Sequence, residues 1–269
     1  YHLALNDEIP GIADTFRYYG GICRNSPGYA AGEYMTGFTS MIRRDPIGVV
    51  ASIAPWNYPL MMGAWKIAPA VAAGNTMVLK PSEQTPLSTL FVAELIAGIF
   101  PEGVINIVHG VGETVGSSLI NHPDVNMISL TGDIATGSKV LDAASKSIKK
   151  THLELGGKAP VIVFDDADIN EVIEGVRAFG YYNAGQDCTA ACRIFADKKI
   201  YENIVADLTS AVSTIGLANQ EDDKNEIPPL ITKEHFNRVS NFVETAKSLK
   251  HIEITTGGKG VGDKGNFYS

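Results

Sequence analysis

The stretch Ile47-Gly-Val-Val-Ala-Ser-Ile-Ala54 decides the fold. It is a short, uncharged run rich in β-branched residues, closed at once by Pro55, and it reads as a buried strand. Runs of the same kind follow at Asn75–Leu79, Val104–His109, Val125–Leu130, Thr151–Leu155 and Pro160–Phe164. Amphipathic stretches lie between them. Thr85–Phe100 places apolar residues at helical spacing and stops at Pro101, Glu113–Asn121 reads as a helix, and so does Thr136–Ser147. Strands that alternate with helices and lack a polar face predict a doubly wound α/β fold, a mostly parallel sheet covered on both sides. Ligands on such sheets bind outside the carboxyl ends of the strands.

Further out, Ile169–Tyr182 and Ile200–Ile215 read as helices of a second α/β region. Gln220–Pro229 reads as an acidic loop ending in proline. Upstream, Glu33–Arg44 reads as an exposed hairpin arm. It is either a subunit contact or an ordinary surface hairpin. The expected division is 1–155 and 156–269.

The bulk composition narrows the class. The 269 residues are 45% hydrophobic and 19% charged, as in a globular protein. A net charge of −8 without a basic run argues against nucleic-acid or anionic-membrane partners. No apolar stretch reaches membrane-spanning length. The 3 cysteines, Cys23, Cys188 and Cys192, cannot build a disulfide framework, and a reducing, cytoplasmic setting is expected. The chain opens on Tyr1 and stops at Ser269 without a helix cap, so both ends read as cut.

Several residues could carry chemistry. Asn183-Ala-Gly-Gln-Asp-Cys188 sets a thiol in a small, polar turn, where a nucleophile is reachable; a small buried hydrophobe is the plainer use of a cysteine. Cys188 and Cys192 lack a second ligand pair, which speaks against zinc. Thr151-His-Leu-Glu-Leu-Gly-Gly-Lys158 puts Glu154 between leucines, where burial would raise its pKa and suit a general base. An outward-facing strand glutamate fits the pattern equally. Gly156-Gly157 permits a close backbone approach or a turn. In Ala54-Pro-Trp-Asn-Tyr-Pro-Leu60, prolines fix the backbone around Asn57, whose amide could hold an oxyanion; a turn asparagine is the alternative. Lys80-Pro-Ser-Glu83 ends a strand where a cofactor ribose or phosphate would lie, with helix capping as the competing role. Gly110-Val-Gly112 with Gly116 is a weak phosphate-loop hint. Leu130-Thr-Gly-Asp-Ile-Ala-Thr-Gly137 offers a helix start to a pyrophosphate, although Asp133 would repel one and is a natural N-cap.

Taken in order, Pro55-Trp-Asn57, Lys80-Pro-Ser-Glu83, Thr131-Gly132, Glu154-Leu-Gly-Gly-Lys158 and Gly185-Gln-Asp-Cys188 resemble the aldehyde dehydrogenase superfamily in sequence and spacing. Arg44-Asp-Pro-Ile-Gly-Val49 resembles the segment leading into that family's cofactor domain. The resemblance covers essentially the whole chain. It implies an NAD-dependent enzyme, with NADP disfavoured because Glu83 would repel a 2′-phosphate. It further implies an incomplete aldehyde dehydrogenase fold: a Rossmann-like NAD-binding domain over 1–155, and the start of a catalytic domain over 156–269. The family's downstream Glu-Ile-Phe-Gly-Pro segment, its opening strands and its closing oligomerisation strand find no match.

The implied roles agree with the residue reading. Cys188 is the nucleophile, Asn57 and the Cys188 N–H hold the oxyanion, and Glu154 activates water against a thioester. Lys80 and Glu83 grip the adenosine ribose, and Trp56, Thr131, Gly132, Gly112 and Gly116 line the cofactor side. Tyr58, Trp65 and Tyr182 fall where the family has aromatic substrate walls, which can hold a cation; core packing is the alternative for each. Asp133 departs from the family's usual serine. Asp187 is acidic where many relatives are not, and would attract an ammonium group on the substrate.

Asp7-Glu-Ile-Pro10, Ser40-Met-Ile-Arg-Arg-Asp-Pro46 and Tyr181-Tyr-Asn-Ala-Gly-Gln-Asp-Cys188 look most like the bacterial γ-aminobutyraldehyde dehydrogenase branch, which acts in putrescine breakdown. The expected substrate is therefore an aminoaldehyde such as 4-aminobutanal, and the expected assembly a homo-oligomer. Betaine-aldehyde or general aliphatic oxidation is the alternative within the family. A non-catalytic NAD-binding or structural fragment is the alternative outside it.

Overall fold

The structure is a computed structural model that describes residues 4–25, 28–217, 226–262 and 264–269. The chain forms two compact units, Tyr1–Leu155 and Gly156–Ser269. In the first, a π-helical turn (Ala4–Glu8) leads into α1 (Ile9–Asn25), then the hairpin β1 (Gly32–Met35) and β2 (Phe38–Ser40). There follow β3 (Val49–Ile53), α2 (Pro59–Ala72), β4 (Thr76–Lys80), α3 (Leu87–Ile96), β5 (Ile105–Ile107), a π-helical turn (Gly112–Gly116) running into α4 (Ser117–Asn121), β6 (Met127–Gly132), α5 (Ile134–Ser145) and β7 (Lys150–Leu155).

These strands make a 5-stranded sheet in the order β5-β4-β3-β6-β7, parallel throughout. The order reverses between β3 and β6: β4 and β5 are laid down on one side of β3, β6 and β7 on the other. Ligand crevices open at such a switch point. The alternation along β3 explains why the sheet is covered twice. Val50 packs with Ile67, Ala70, Met77 and Leu79 on the α2 side. Its neighbour Ala51 points the other way, to Ile128, Leu130, Val140 and Ala143 on the α5 side.

The amino end of β3 is pinned by two asparagines. Asn75 Oδ1 accepts from Gly48 N at 3.1 Å, and Asn126 Oδ1 accepts from Val49 N at 2.9 Å. Gly48 has φ +115°, and a methyl group there would lie 2.4 Å from Asn126 Oδ1. Only glycine satisfies both the angle and the space.

The second unit contains β8 (Ala159–Val163), α6 (Ile169–Tyr181), a short 3-10 segment (Tyr182–Gly185), β9 (Ala191–Ala196), α7 (Tyr201–Ser213), α8 (Lys233–Lys247) and the two-residue strands β10 (Gly260–Val261) and β11 (Phe267–Tyr268). β8 and β9 pair in parallel, β10 and β11 antiparallel. Val163, Ile173, Ile200 and Ile204 form its core.

Three sequence expectations need correction. The helix expected over Thr85–Phe100 is shorter: it starts behind Pro86 and yields to turns at Ala97, before Gly98. The helix expected over Glu113–Asn121 is a π-helical turn plus a short α-helix, since two glycines within five residues leave regular winding unsupported. α5 starts at Ile134 rather than Thr136, because Asp133 caps it. Glu154 lies between leucines on β7 and its side chain is 64% exposed, so of the two placements the pattern left open it takes the outward-facing one. Of the expected acidic loop Gln220–Pro229, residues up to Asn225 lie outside the described ones.

Candidate active site

The crevice of the first unit is assembled from strand ends. Ile53 is in register with Lys80 on β4 and with Leu130 on β6, and Thr131 is in register with Glu154 on β7. The segments that follow β3, β4 and β6 thus leave the sheet side by side. They carry Trp56, Asn57 and Tyr58; then Lys80 to Glu83; then Thr131, Gly132 and Asp133. Trp56, Asn57 and Tyr58 are all half-buried in the turn before α2, with Pro59 setting its first turn. Trp65 projects from α2 and is exposed.

Lys80 is 2% exposed. Its ammonium donates to Pro81 O and to Glu83 Oε2, each at 3.1 Å. Burial pushes the Glu83 carboxyl up, but its own backbone N–H and the Lys80 ammonium outweigh this and hold it below the usual carboxylate range. Gly116 faces this pair: a methyl group there would sit 3.8 Å from Lys80 Cδ. Gly112 has open space around it. Asp133 accepts from Thr136 N at 2.6 Å, so the cap role read from the sequence is the one the carboxylate takes. Gly137 lets α5 press onto β7, since a methyl group there would approach Leu155 Cδ1 to 2.9 Å.

Sequence reasoning passes over Lys66, Ser129 and His152. Lys66, 6% exposed in α2, donates to Ser129 Oγ at 3.0 Å. Ser129 Oγ lies 3.2 Å from His152 Nδ1, and His152 Nε2 lies 3.3 Å from Glu154 Oε1. Burial lowers Lys66 to about 8, against the opposing pull of the Glu154 charge. A signal was available: Lys66 is the lone cation in the apolar run Met61–Ala73.

In the second unit, Cys188 is exposed at the end of an unusual turn. Asn183 and Ala184, with φ of 52° and 59°, and Gly185, with φ of 69°, are consecutive left-handed residues. Gln186 locks them: its Nε2 donates to Asn183 O at 3.0 Å, while its Oε1 accepts from Ile231 N at 3.0 Å. Asp187 Oδ1 accepts from Thr189 N at 2.8 Å and from Thr189 Oγ1 at 2.9 Å, which closes the turn beyond. Gly157 comes so close that a methyl group on it would lie 2.9 Å from Cys188 O. Gly157 therefore serves a close backbone approach, while Gly156 faces open space. Tyr182 opens the turn and is half-buried. Among the described residues no cluster of His, Cys, Asp or Glu could hold a metal.

The first unit is thus a doubly wound parallel sheet with the Lys80–Glu83 pair at the end of β4, and the second presents a thiol on a constrained turn. The model of the aldehyde dehydrogenase family matches residues 1–269, and the chain belongs to that family. It is 43% identical over 254 residues to betaine aldehyde dehydrogenase of Bacillus subtilis, covering 94% of this chain and 51% of that protein. It is 40% identical over 270 residues to the mitochondrial aldehyde dehydrogenase of Leishmania tarentolae, covering 99% of this chain and 54% of that one. The NAD+ complex of an aldehyde dehydrogenase from Bacillus cereus superposes with a TM-score of 0.96 at 38% identity, covering 100% of this chain and 54% of that structure. The chain has the aldehyde dehydrogenase fold and spans about half the length of the relatives it matches.

Proposed function

We propose that this chain supplies the cofactor crevice and the nucleophile of an NAD-dependent aldehyde dehydrogenase, acting on an aminoaldehyde such as 4-aminobutanal. The observation that carries the reading is the strand-end crevice with Lys80 and Glu83 paired at its edge. Among the described residues two of the three Lys80 N–H groups are engaged, and the third suits a ribose oxygen. Glu83, held ionised, suits ribose hydroxyls and disfavours a 2′-phosphate. The donor set therefore fits NAD. Bound there, the nicotinamide would supply a hydride acceptor.

In this reading, the Cys188 sulfur adds to the aldehyde carbon to form a thiohemiacetal. The Asn57 amide and the Cys188 N–H steady the oxyanion. Oxidation leaves a thioester on Cys188. Glu154 takes a proton from water, the water attacks the thioester, and a carboxylic acid leaves as the thiolate is restored. Asp187 carries the substrate preference: its Oδ1 closes a turn, and its net charge draws an ammonium group. Tyr58, Trp65 and Tyr182 supply aromatic walls. Betaine aldehyde is the second reading, supported by the 43% identity to the Bacillus subtilis enzyme. The exposed hairpin, with Tyr34, Met35 and Phe38 outward, is read as a subunit contact of a homo-oligomer.

The test is NADH formation by the whole gene product with 4-aminobutanal, betaine aldehyde and a neutral aldehyde of similar length, against Cys188→Ala. The reading expects 4-aminobutanal to lead in kcat/KM and the variant to be silent. A neutral aldehyde that performs equally well removes the aminoaldehyde assignment. NAD binding without turnover on any aldehyde would mean a non-catalytic protein.

A further inference from the structure

We propose that His152 is a positioning residue that relays protons between Glu154 and the buried Lys66 through the hydroxyl of Ser129. The inference rests on Glu154 being the base of the proposed reaction. β7 supplies His152 and Glu154 two residues apart, so both side chains leave the same face of the strand, and Nε2 meets Oε1 at 3.3 Å. β6 supplies Ser129, the register partner of His152, with Oγ 3.2 Å from Nδ1. α2 supplies Lys66, whose Nζ reaches Ser129 Oγ at 3.0 Å. Three secondary-structure elements thus line up four groups, from a buried cation to an exposed carboxylate. A structural lysine or an ordinary surface ion pair would not need the two central links.

The chain has a direction, and Lys66 sets it. An ammonium can only donate. With Lys66 charged, it donates to Ser129 Oγ, the Ser129 O–H donates to Nδ1, and the protonated Nε2 donates to the Glu154 carboxylate. With Lys66 neutral, every link reverses: Ser129 donates to Nζ, Nδ1–H donates to Ser129, and Nε2 is left to accept. Lys66 stands at about 8, with Glu154 as the charge that faces it, so both settings are populated in mildly alkaline solution.

The reversed setting is the one Glu154 needs after it has taken a proton from water. The Glu154 O–H bond breaks as an Nε2–H bond forms. The Nδ1 proton passes to Ser129 Oγ, and the Ser129 proton passes to Nζ. The net change is one carboxylic acid and one amine becoming one carboxylate and one ammonium. An amine near 8 holds a proton more firmly than a carboxyl group does, so the transfer runs downhill. Glu154 is ready for the next water, and the proton on Lys66 leaves by the same links in reverse: Nζ donates to Ser129 Oγ, Ser129 donates to Nδ1, and the half-exposed His152 ring releases the Nε2 proton to water, which restores the neutral lysine and the Nδ1–H form.

His152→Gln separates relay from scaffold. Glutamine keeps a donor for Glu154 and an acceptor for Ser129 but cannot exchange tautomers. In the full-length enzyme, the NADH burst that reports thioester formation should be unchanged, while thioester hydrolysis slows by about tenfold or more. His152→Ala should slow equally and recover with added imidazole, whereas His152→Gln should not recover. Hydrolysis at the parent rate in His152→Gln overturns the proposal.

A second readout needs no turnover. In Cys188→Ala protein, the ¹⁵N shifts of His152 should move from the Nε2–H toward the Nδ1–H form as pH rises through about 8, and Lys66→Met should abolish that movement. A tautomer indifferent to Lys66→Met also overturns the proposal. A parent enzyme that forms no NADH from any aldehyde would strike the dehydrogenase reading instead, and the tautomer measurement would still decide the relay.

Discussion

Lys80→Met tests the reading of the crevice, because methionine keeps the buried stem and removes only the charge. The stem packs toward Gly116 and stays close to its original volume, so little cavity is made. Two interactions go. Pro81 O loses its donor in a buried setting, at a cost of about 1 kcal/mol. Glu83 loses the partner at 3.1 Å. Its side chain is 41% exposed and can rehydrate, so solvent screening limits this loss to about 1 kcal/mol. The sum of about 2 kcal/mol lowers the melting temperature by roughly 5 °C for a protein of this size.

The two halves differ in pH dependence. The folded-state pKa of Glu83 is depressed, so its share of stability is present above the unfolded value near ~4.3 and is lost as pH falls through the folded one. The gap between parent and variant should therefore be full at neutral pH and roughly halved once pH has fallen through the depressed folded value. Thermal unfolding from neutral to acid pH reads this directly. NAD affinity, followed by quenching of intrinsic fluorescence, should fall about tenfold, the value of one hydrogen bond to a charged donor. A gap that does not shrink in acid would refute the pairing argument, and unchanged NAD affinity would refute the placement of the ribose.

Other consequences are open to measurement. Asp187→Asn retains the acceptor for Thr189 while removing the charge, so kcat/KM for 4-aminobutanal should fall about fivefold, roughly 1 kcal/mol at a partly screened distance. A neutral aldehyde should be unaffected, and equal losses on both would sink the charge argument. Asp133→Ser keeps the cap on α5, so stability should hold within about 0.5 kcal/mol. NAD should bind several-fold more tightly at low salt, because an anion no longer faces the pyrophosphate site; no salt-sensitive gain would show that the carboxylate is harmless there. Ala184→Gly relieves a left-handed alanine and should stabilise the protein by about 0.5–1 kcal/mol in denaturant unfolding. A loss instead would show that the turn is held by contacts of the alanine methyl group.

The sheet was legible because burial on two faces leaves a simple mark. A strand such as Val49–Ile53 has no polar side to advertise, and neither do Thr76–Leu79 or Met127–Leu130. Cys188 and Lys80 could be picked out from local cues, a polar turn and a strand end. What stayed hidden depends on long-range geometry. α1 carries Pro10, Gly11, Gly20 and Gly21, a composition that argues for a loop, and it is helical nonetheless. Lys66 meets Ser129 across 63 positions of sequence, so nothing near either residue reveals the pair. The leucines beside Glu154 leave its side undecided in the sequence, and alternation along β7 sends them inward and the carboxylate outward. Local pattern tells which residues share a face. It does not tell what the opposite face meets.

The pinning of β3 by Asn75 and Asn126 bears on how this scaffold can change over time. Because β3 is shared by both halves of the sheet, its starting point acts as a common origin from which the segments carrying Asn57, Lys80 and Thr131 are all measured. Slipping β3 by one residue would shift its end by about 3.3 Å and exchange Val50 with Ala51 between the two cores. The connections beyond the strand ends can therefore be lengthened or shortened without moving that origin. A single insertion between Gly48 and Ile53 would disturb every part of the crevice at once. Deep mutational scanning with one-residue insertions should show this as a narrow intolerant window, bounded on its amino side by a glycine that no other residue replaces.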